Sequence, residues 1–222
     1  MLSVIIPTLN EEAVLATTLE SVQRTAPGSE ILVVDGGSHD RTVEVAGATP
    51  GVRTLSGPRG RGPQMNAGAA AAAGDVFLFL HADTHLPPDA GTLVASALAD
   101  PRVAGGSFFL GFDSGHPILW LSSIASRLNV RWATYGDQAF FFRRTVFEQV
   151  GGFAALPLFE DVDLQARVRR VGRCVKIQRP VTSSARRFLR VGVARQQVRN
   201  SLVLIAYHLG VSPVRLATWY ER

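Results

Sequence analysis

Short runs of apolar residues recur through the first hundred positions, and segments with helical spacing separate them. They predict strands at Leu2–Ile6, Glu30–Val34 and Val76–Leu80, and a further strand is expected at Val52–Leu55. Short apolar runs that do not alternate with polar residues are typical of strands buried on both faces of a parallel sheet. Such strands alternating with helices predict a doubly wound α/β domain, which binds its ligands at the carboxyl ends of the strands.

The segments between these strands carry helix signals. Asn10 belongs to a residue type that caps helices, and Glu11 and Glu12 would complement the dipole of the first turn. A second helix is expected to begin near Asp40, and Pro63 is expected to open a third helix that ends at Gly74. The first helix would bury a stripe of Val14, Leu15, Leu19 and Val22.

The pattern changes in the second half of the chain. Ser107–Phe112 alternates like an antiparallel strand, and Ala139–Arg143 is another expected strand. Helical spacing predicts helices at Pro117–Leu128, Val162–Val171 and Val193–Leu209. No internal repeat or long linker separates these elements, so residues 1–222 are interpreted as a single domain with a modified second half and a helical tail.

Composition excludes several classes of protein. Apolar residues make up 46% of the chain and charged residues 18%, which excludes a disordered chain. A single cysteine, Cys174, excludes a disulfide framework and a cysteine-based zinc site. The amino terminus lacks the features of a signal peptide, and the longest apolar stretches are far shorter than the ~20 residues that span a bilayer. We therefore expect a cytoplasmic protein whose membrane contact, if there is any, is peripheral at the inner face.

Charge is distributed unevenly along the chain. Residues 1–110 contain 6 basic and 11 acidic side chains, whereas residues 111–222 contain 17 and 7. From Leu164 onward, 13 basic residues accompany a single acid, Glu221. This asymmetry suggests that the second half meets phosphates, nucleic acid or a membrane surface, or else that arginines decorate a solvated surface. Nucleic acid is the least favoured partner because aromatic residues, only 8% of the chain, cluster in apolar strands.

Three carboxylates follow the predicted strands: Glu11, Asp35 and Asp83. Carboxylates at these positions can accept hydrogen bonds from a ribose or a base, or hold a divalent cation on a diphosphate. The glycine signatures of dinucleotide-binding and Walker folds are absent from the corresponding loops. The three acids therefore predict a nucleotide site of a different kind, although each alone is compatible with a loop or capping role.

Several motifs occur together in a recognisable order. VIIPTLNEE, ILVVDGGSHD, GDVFLFLHADT and FEDVDL resemble those of family-2 glycosyltransferases, which have the GT-A fold. The stretches GRGPQMNAG, YGDQAFFFRR and LFEDVDL are still more similar to a small bacterial subgroup often labelled arsenosugar-biosynthesis glycosyltransferase. The resemblance implies a Rossmann-like nucleotide-binding half (residues 1–100), an acceptor and catalytic half (residues 101–190) and a helical tail (residues 191–222).

The resemblance also implies a nucleotide-binding role for a set of residues. The first-strand loop, with Pro7, Thr8, Asn10 and Glu11, would hold the nucleotide, and Asp35 would read the base or ribose. The amides of Gln64 and Asn66 would approach the nucleotide. Asp137 and Gln138 of the YGDQ segment would contact donor sugar or acceptor. Arg186 and Arg187 are candidate phosphate ligands because a guanidinium binds phosphate through a bidentate fork.

The motifs HADT and FEDVDL carry the implied chemistry. Asp83 matches the metal-binding Asp of the family's Asp-x-Asp motif, whose first Asp is replaced by His81, and the expected cofactor is Mn²⁺ or Mg²⁺. If the segment is extended, His81, Asp83 and His85 face the same way; Asp83 binding alone is the favoured alternative. Glu160 and Asp161 match the family's Glu-Asp pair, in which the Asp is the catalytic base.

The function implied is inverting transfer of a sugar from a nucleotide-diphosphate sugar, with UDP favoured, to the hydroxyl of a small-molecule or lipid-linked acceptor. A non-catalytic nucleotide-sugar-binding protein is the alternative, because His81 departs from the metal motif. The tail helix places Val198, Leu202, Ile205 and Leu209 at helical spacing. That stripe suits core packing or a homodimer, or peripheral membrane contact together with the neighbouring arginines.

Overall fold

The computed structural model describes residues 1–130 and 134–220. Its centre is an eight-stranded sheet with strand order β3-β2-β1-β4-β7-β6-β8-β5. The strands are β1 (Leu2–Thr8), β2 (Glu30–Asp35), β3 (Val52–Ser56), β4 (Val76–Phe79), β5 (Thr84–His85), β6 (Val103–Phe112), β7 (Phe140–Arg143) and β8 (Arg173–Ser183).

Helices cover both faces of this sheet. They are α1 (Leu15–Thr25), α2 (Thr42–Ala48), α3 (Arg61–Ala71), α4 (Ala90–Ala97), α5 (Pro117–Ser126), α6 (Arg144–Gln149), α7 (Glu160–Val171), α8 (Arg186–Val191), α9 (Val193–His208) and α10 (Pro213–Tyr220). One face packs on α1 and α4 through Leu19 and Val94. The other packs on α3, α6 and α7 through Met65, Phe147 and Leu164.

The first four predicted strands form the parallel part of the sheet. β1 pairs with β2 and with β4, and β2 pairs with β3, all in parallel. Val4 and Ile6 point into one core, whereas Ile5 points into the other. Because both faces are covered, side chains of both orientations are fully buried. The predicted α/β class, with a mostly parallel sheet, a mixed second half and C-terminal helices, is confirmed.

The prediction for the first helix was wrong at its start. α1 begins at Leu15, and Asn10 has a left-handed backbone (φ 56°). The side chain of Asn10 does not cap the helix but accepts a hydrogen bond from the His39 N–H at 2.9 Å. Glu11 also precedes the helix, and its N–H donates to the Thr42 hydroxyl. Hydrogen bonds between the loops after β1 and β2 thus replace local capping.

β6 differs from the prediction in length and pairing. It begins at Val103, pairs antiparallel with β7 and parallel with β8, and is buried along most of its length. β8 pairs along β6 and covers Ser107, which is buried and accepts a hydrogen bond from Lys176. β7 begins at Phe140 because Ala139 adopts a left-handed backbone (φ 49°).

Two helices expose the apolar stripes that the sequence pattern predicted. α5 ends two residues before the predicted Leu128, and its Leu121 and Ile124 face solvent. On α9 the stripe runs along the exposed side of the helix, whereas Val193, Gln196 and Val203 are buried. The exposed α9 residues are Val198, Leu202, Ile205 and Leu209. Within residues 1–130 and 134–220, no helix is long and apolar enough to span a bilayer.

Gly105 lies where β6 is held between β7 and β8. A Cβ there would overlap the Phe141 carbonyl oxygen and the Phe142 ring. We expect Gly105→Ala to lower the free energy of unfolding by about 2–3 kcal/mol, the cost of overpacking a core, as measured by denaturant titration. Gly115→Ala is the control, since its Cβ would meet nothing within 4 Å. Equal effects of the two substitutions would contradict the strand packing described above.

Candidate functional site

A crevice of about 670 Å³ opens at the carboxyl ends of β1 and β4. Its walls are the loop after β1, the start of α3, the turn after β4 and the arginines of α8. Nine residues assigned to the site from sequence line it: Pro7, Thr8, Asn10, Glu11, Gln64, His81, Asp83, Arg186 and Arg187. The position agrees with the rule that α/β sheets bind ligands beyond the carboxyl ends of their strands.

Asp35 lies behind this lining and is fully engaged by protein groups. Its carboxylate accepts hydrogen bonds from the Gly37 and Ser38 N–H groups, each at 2.9 Å, and from the hydroxyls of Ser38 and Thr8. Burial alone would raise the pKa of Asp35, but these hydrogen bonds lower it below its usual value. Asp35 therefore holds the loop after β2 in place as an ionised carboxylate.

The two predicted amides have different environments. The Gln64 side chain donates to the carbonyl oxygens of Thr8 and Val34, both at 2.7 Å, and so ties the ends of β1 and β2 together at the crevice. Asn66 points away from the crevice. Its amide donates to the Phe153 carbonyl and accepts from the Phe153 N–H, which indicates a role in fastening the loop before α7.

Among the residues that the structure describes, five arginines line the crevice, against the two carboxylates Glu11 and Asp83. A group of guanidiniums at strand ends is suited to a diphosphate, which they can bind through charge-assisted bidentate hydrogen bonds. Sequence reasoning missed three of these arginines. The GPRGRGP loop, rich in glycine and arginine, was a usable signal for Arg59 and Arg61, whereas Arg190 belongs to α8.

Glu11 and Asp83 share one electrostatic environment. Arg186 donates to Glu11 at 3.2 Å, which connects α8 to the loop after β1. Burial and the nearby Asp83 raise the pKa of Glu11. Burial also raises the pKa of Asp83, although Arg186 opposes this. Two carboxylates whose ionisation is disfavoured in this way are suited to accept an additional positive charge.

The condition for a face shared by His81, Asp83 and His85 is not met. The Thr84 N–H donates to the His81 carbonyl and closes a turn there, so the segment is not extended through all three residues. His81 Nε2 lies 3.4 Å from Arg61 Nη1, and burial together with Arg61 lowers the pKa of His81 to about 3. A divalent cation on this nitrogen would lie beside a guanidinium. Among the described residues, no group of three or more His, Cys, Asp or Glu side chains is arranged to hold a metal.

Arg61 forms a second long-range ion pair of the site. Its Nε donates to Glu160 Oε1 at 2.6 Å, and Glu160 is buried at the start of α7. Burial raises the pKa of Glu160, and Arg61 opposes the shift. Glu160 thus contributes to the crevice by positioning Arg61.

Asp161 adjoins Glu160 but does not line the crevice. One of its carboxylate oxygens accepts from the Val162 N–H at 2.8 Å, and the other accepts from the Gly136 N–H. A Cβ on residue 136 would come within 3.0 Å of that second oxygen, so glycine permits the close approach. The carboxylate is thereby fixed in orientation, with 9% of the residue exposed.

Lys176, the single lysine of the chain, fastens the YGDQ segment from beneath. Its ammonium nitrogen donates to Ser107 at 2.7 Å, to Thr134 at 3.3 Å and to the Gln138 side-chain oxygen. Burial lowers the pKa of Lys176 to about 7. Gln138, predicted to contact ligand, is fully buried on this lysine. Nothing in the sequence neighbourhood of Lys176 indicated this contact.

The fold is that of glycosyltransferases solved with nucleotide sugars. S. aureus TarS 1-349 in complex with UDP-GlcNAc has a TM-score of 0.66 at 19% identity, over 82% of this chain and 58% of that chain. The mannosyltransferase PcManGT from Pyrobaculum calidifontis, in complex with GDP-Man and Mn²⁺, has a TM-score of 0.69 at 19% identity, over 99% of this chain and 68% of that chain. At these identities the likeness establishes the GT-A-like fold.

Sequence comparison establishes the family. Residues 3–157 match the family described as Glycosyl transferase family 2, and the chain belongs to it. A PGL/p-HBAD biosynthesis glycosyltransferase of Mycobacterium bovis (strain BCG / Pasteur 1173P2) is 34% identical over 172 residues. That match covers 69% of this chain and 63% of the relative, so the chain spans less than two thirds of the relative's length. The predicted family is confirmed, and the relative's name does not refer to arsenosugars.

Asp137 generates a prediction about pH. Burial and the nearby Asp161 raise its pKa from 3.8 to about 7. The native state therefore retains a proton that the unfolded chain loses, so stability falls as the pH rises from about 4 to 7. Asp137→Asn cannot ionise and should gain about 2 kcal/mol over the wild type at pH 7.5, with little gain at pH 4.

Thermal unfolding of both proteins across this pH range measures the effect. The control is Glu20→Gln, which removes an exposed carboxylate on α1 and should shift stability equally at both pH values. A gain for Asp137→Asn that is independent of pH would contradict the buried, protonated carboxyl.

Proposed function

We propose that the chain is an inverting glycosyltransferase, which transfers a sugar from a nucleotide-diphosphate sugar to an acceptor hydroxyl. The observation that carries the proposal is the crevice itself, where five arginines of the described residues lie beyond the strand ends. One of them, Arg61, pairs with Glu160, the neighbour of Asp161 in the chain. Family membership supports the reaction class. A UDP-linked donor sugar is favoured because of the family resemblance. The solved neighbours contain both UDP-GlcNAc and GDP-Man.

The proposed chemistry needs a proton acceptor and a stabilised leaving group. Asp161 would take the proton of the acceptor hydroxyl while the hydroxyl oxygen attacks C1 of the donor sugar. The nucleotide diphosphate would leave from the opposite side of C1. The arginines of the crevice would stabilise the charge that develops on the leaving diphosphate. Arg186 and Arg187 were proposed for this from sequence, and Arg61, held by Glu160, is a third candidate.

A divalent cation, Mn²⁺ or Mg²⁺, fits part of the predicted metal site. Asp83 and Glu11 would hold it, because their raised pKa values favour a neighbouring cation and Mg²⁺ needs few protein ligands when phosphates are present. His81 does not fit, since its nitrogen faces Arg61. When bound, the cation would neutralise charge on the diphosphate. The Mn²⁺ in the PcManGT complex supports this part of the proposal.

The subgroup and the division of the chain are also proposals. The GRGPQMNAG, YGDQAFFFRR and LFEDVDL motifs support membership of the small bacterial subgroup labelled arsenosugar-biosynthesis glycosyltransferase. Residues 1–100 would bind the nucleotide, residues 101–190 would hold the acceptor and catalytic groups, and residues 191–222 would form the tail. Asp137 lies beside Asp161 but does not line the crevice. The YGDQ segment would therefore contact donor or acceptor only if the ligand extended beyond the crevice to this segment.

The proposed base yields a direct test. We expect Asp161→Asn to lower kcat by about 100-fold or more, because the hydroxyl loses its proton acceptor. Nucleotide binding should stay nearly intact, since Asp161 does not line the crevice. Donors are first screened by thermal stabilisation, and turnover is then measured as nucleoside diphosphate released from the stabilising donor.

Asp163→Asn is the matched control. Asp163 lies two residues further along α7 and pairs with Arg167 at 2.7 Å on the same helix, so its loss should leave kcat nearly unchanged. Normal turnover of Asp161→Asn would refute the assignment of the base. Donor binding without turnover in the wild type would favour the alternative, a non-catalytic nucleotide-sugar-binding protein.

The metal site is tested by calorimetry of UDP binding with and without Mn²⁺. We expect Asp83→Ala to abolish the Mn²⁺ dependence, because the cation loses a carboxylate that faces the diphosphate. The control is His85→Ala, whose side chain is exposed outside the crevice and should leave the dependence unchanged. A wild-type Mn²⁺ dependence that survives in Asp83→Ala would show that the cation lies elsewhere.

A further inference from the structure

Two helices of the second half turn apolar stripes to solvent, and each also turns a polar side chain inward. On α5, Trp120, Leu121 and Ile124 face solvent, and the buried positions are Leu119 and Ser126. On α9, Leu202, Ile205 and Leu209 face solvent, and the buried positions are Val193, Gln196 and Val203. We call the six exposed apolar residues the outer apolar surface. A helix of a soluble protein normally turns its widest apolar face to the core.

The inward polar side chains show that this orientation is built into the fold. Ser126 donates to the Leu110 carbonyl and accepts from the Leu110 N–H at 2.9 Å. The Gln196 amide donates to the Asn200 side chain at 2.8 Å and to the Tyr220 hydroxyl at 2.9 Å. Because these polar groups are satisfied inside, rotating either helix to bury its apolar stripe would break their hydrogen bonds. The apolar faces therefore stay outside.

The charge around the outer apolar surface restricts its partner. The helices α5, α8, α9 and α10 contain no aspartate or glutamate. Of their arginines, Arg186, Arg187 and Arg190 line the crevice, whereas Arg195, Arg199 and Arg215 lie on α9 and α10. A second copy of the chain would set arginine against arginine in a symmetric contact, with no acid on these helices to pair with them. Apolar side chains flanked by arginines instead match a surface of anionic headgroups above acyl chains.

We propose that α5 and α9 bind the surface of an anionic lipid bilayer through the outer apolar surface. Arg195 and Arg199 of α9 would contact the headgroups while Trp120 and the aliphatic side chains enter the headgroup–acyl boundary. α9 follows α8 and packs on it, and the arginines of α8 line the crevice. Binding would therefore bring the crevice close to the membrane surface. This inference does not depend on the proposed transfer reaction.

Vesicle sedimentation of the full chain, without nucleotide, tests the proposal. Vesicles contain either phosphatidylcholine alone or phosphatidylcholine with phosphatidylglycerol. We expect binding only to the anionic vesicles, with weaker binding at high salt. Leu202→Ser/Ile205→Ser and, separately, Trp120→Ser should each weaken binding at least tenfold. Arg195→Gln should weaken it about fivefold.

Matched controls lie outside this surface. Val43 is an exposed apolar residue on α2 and Arg24 an exposed arginine on α1, so Val43→Ser and Arg24→Gln should leave binding unchanged. All the substituted side chains are exposed, and thermal unfolding checks that each variant is folded. Failure to bind anionic vesicles at low salt would overturn the proposal, as would equal binding to both vesicle types. A homodimer in solution that Leu202→Ser/Ile205→Ser disrupts would also overturn it.

Discussion

The ion pair between Arg61 and Glu160 is the contact on which the arrangement of the crevice depends. It joins the start of α3 to the start of α7, which are 99 residues apart in the chain. Glu160 is buried, whereas Arg61 remains partly exposed to the crevice. Loss of Arg61 would leave a buried carboxylate without its partner, which costs more than the pair itself contributes. The pair thus couples the crevice at the carboxyl ends of β1 and β4 to the helix that carries Asp161.

From this pair a series of contacts runs into the second half of the molecule. Asp161 accepts from the Gly136 N–H, and the same turn places Gln138 on Lys176. Lys176 in turn donates to Ser107 on the neighbouring strand β6. The proposed base is therefore oriented by a backbone N–H whose own position depends on a buried lysine of β8. Apart from the neighbours Glu160 and Asp161 and the turn that holds Gly136 and Gln138, the members of this series are far apart in sequence. Sequence reasoning therefore missed the lysine.

The sequence predicted best what local composition determines. The strands containing Val4, Leu32 and Leu78 are apolar because helices cover both of their faces, and burial on both faces leaves a signal within each strand. Asn10 shows the limit of local rules, since its capping propensity is outweighed by a hydrogen bond from the His39 N–H, 29 residues away. The same limit applies to the site, where the GPRGRGP loop contains Arg61 but only its distant partner Glu160 shows what this arginine does.

The helices α5 and α9 show a different limit. Helical spacing predicted the stripes on α5 and α9, but spacing alone does not state which face meets the core. That choice depends on whether the polar face finds partners inside, and Ser126 and Gln196 do so through distant groups. An outward apolar stripe gains nothing in water, since each exposed Å² forgoes about 25 cal/mol of transfer free energy. The fold therefore does not gain the transfer free energy of this exposed apolar area. Binding to a second surface can gain it instead.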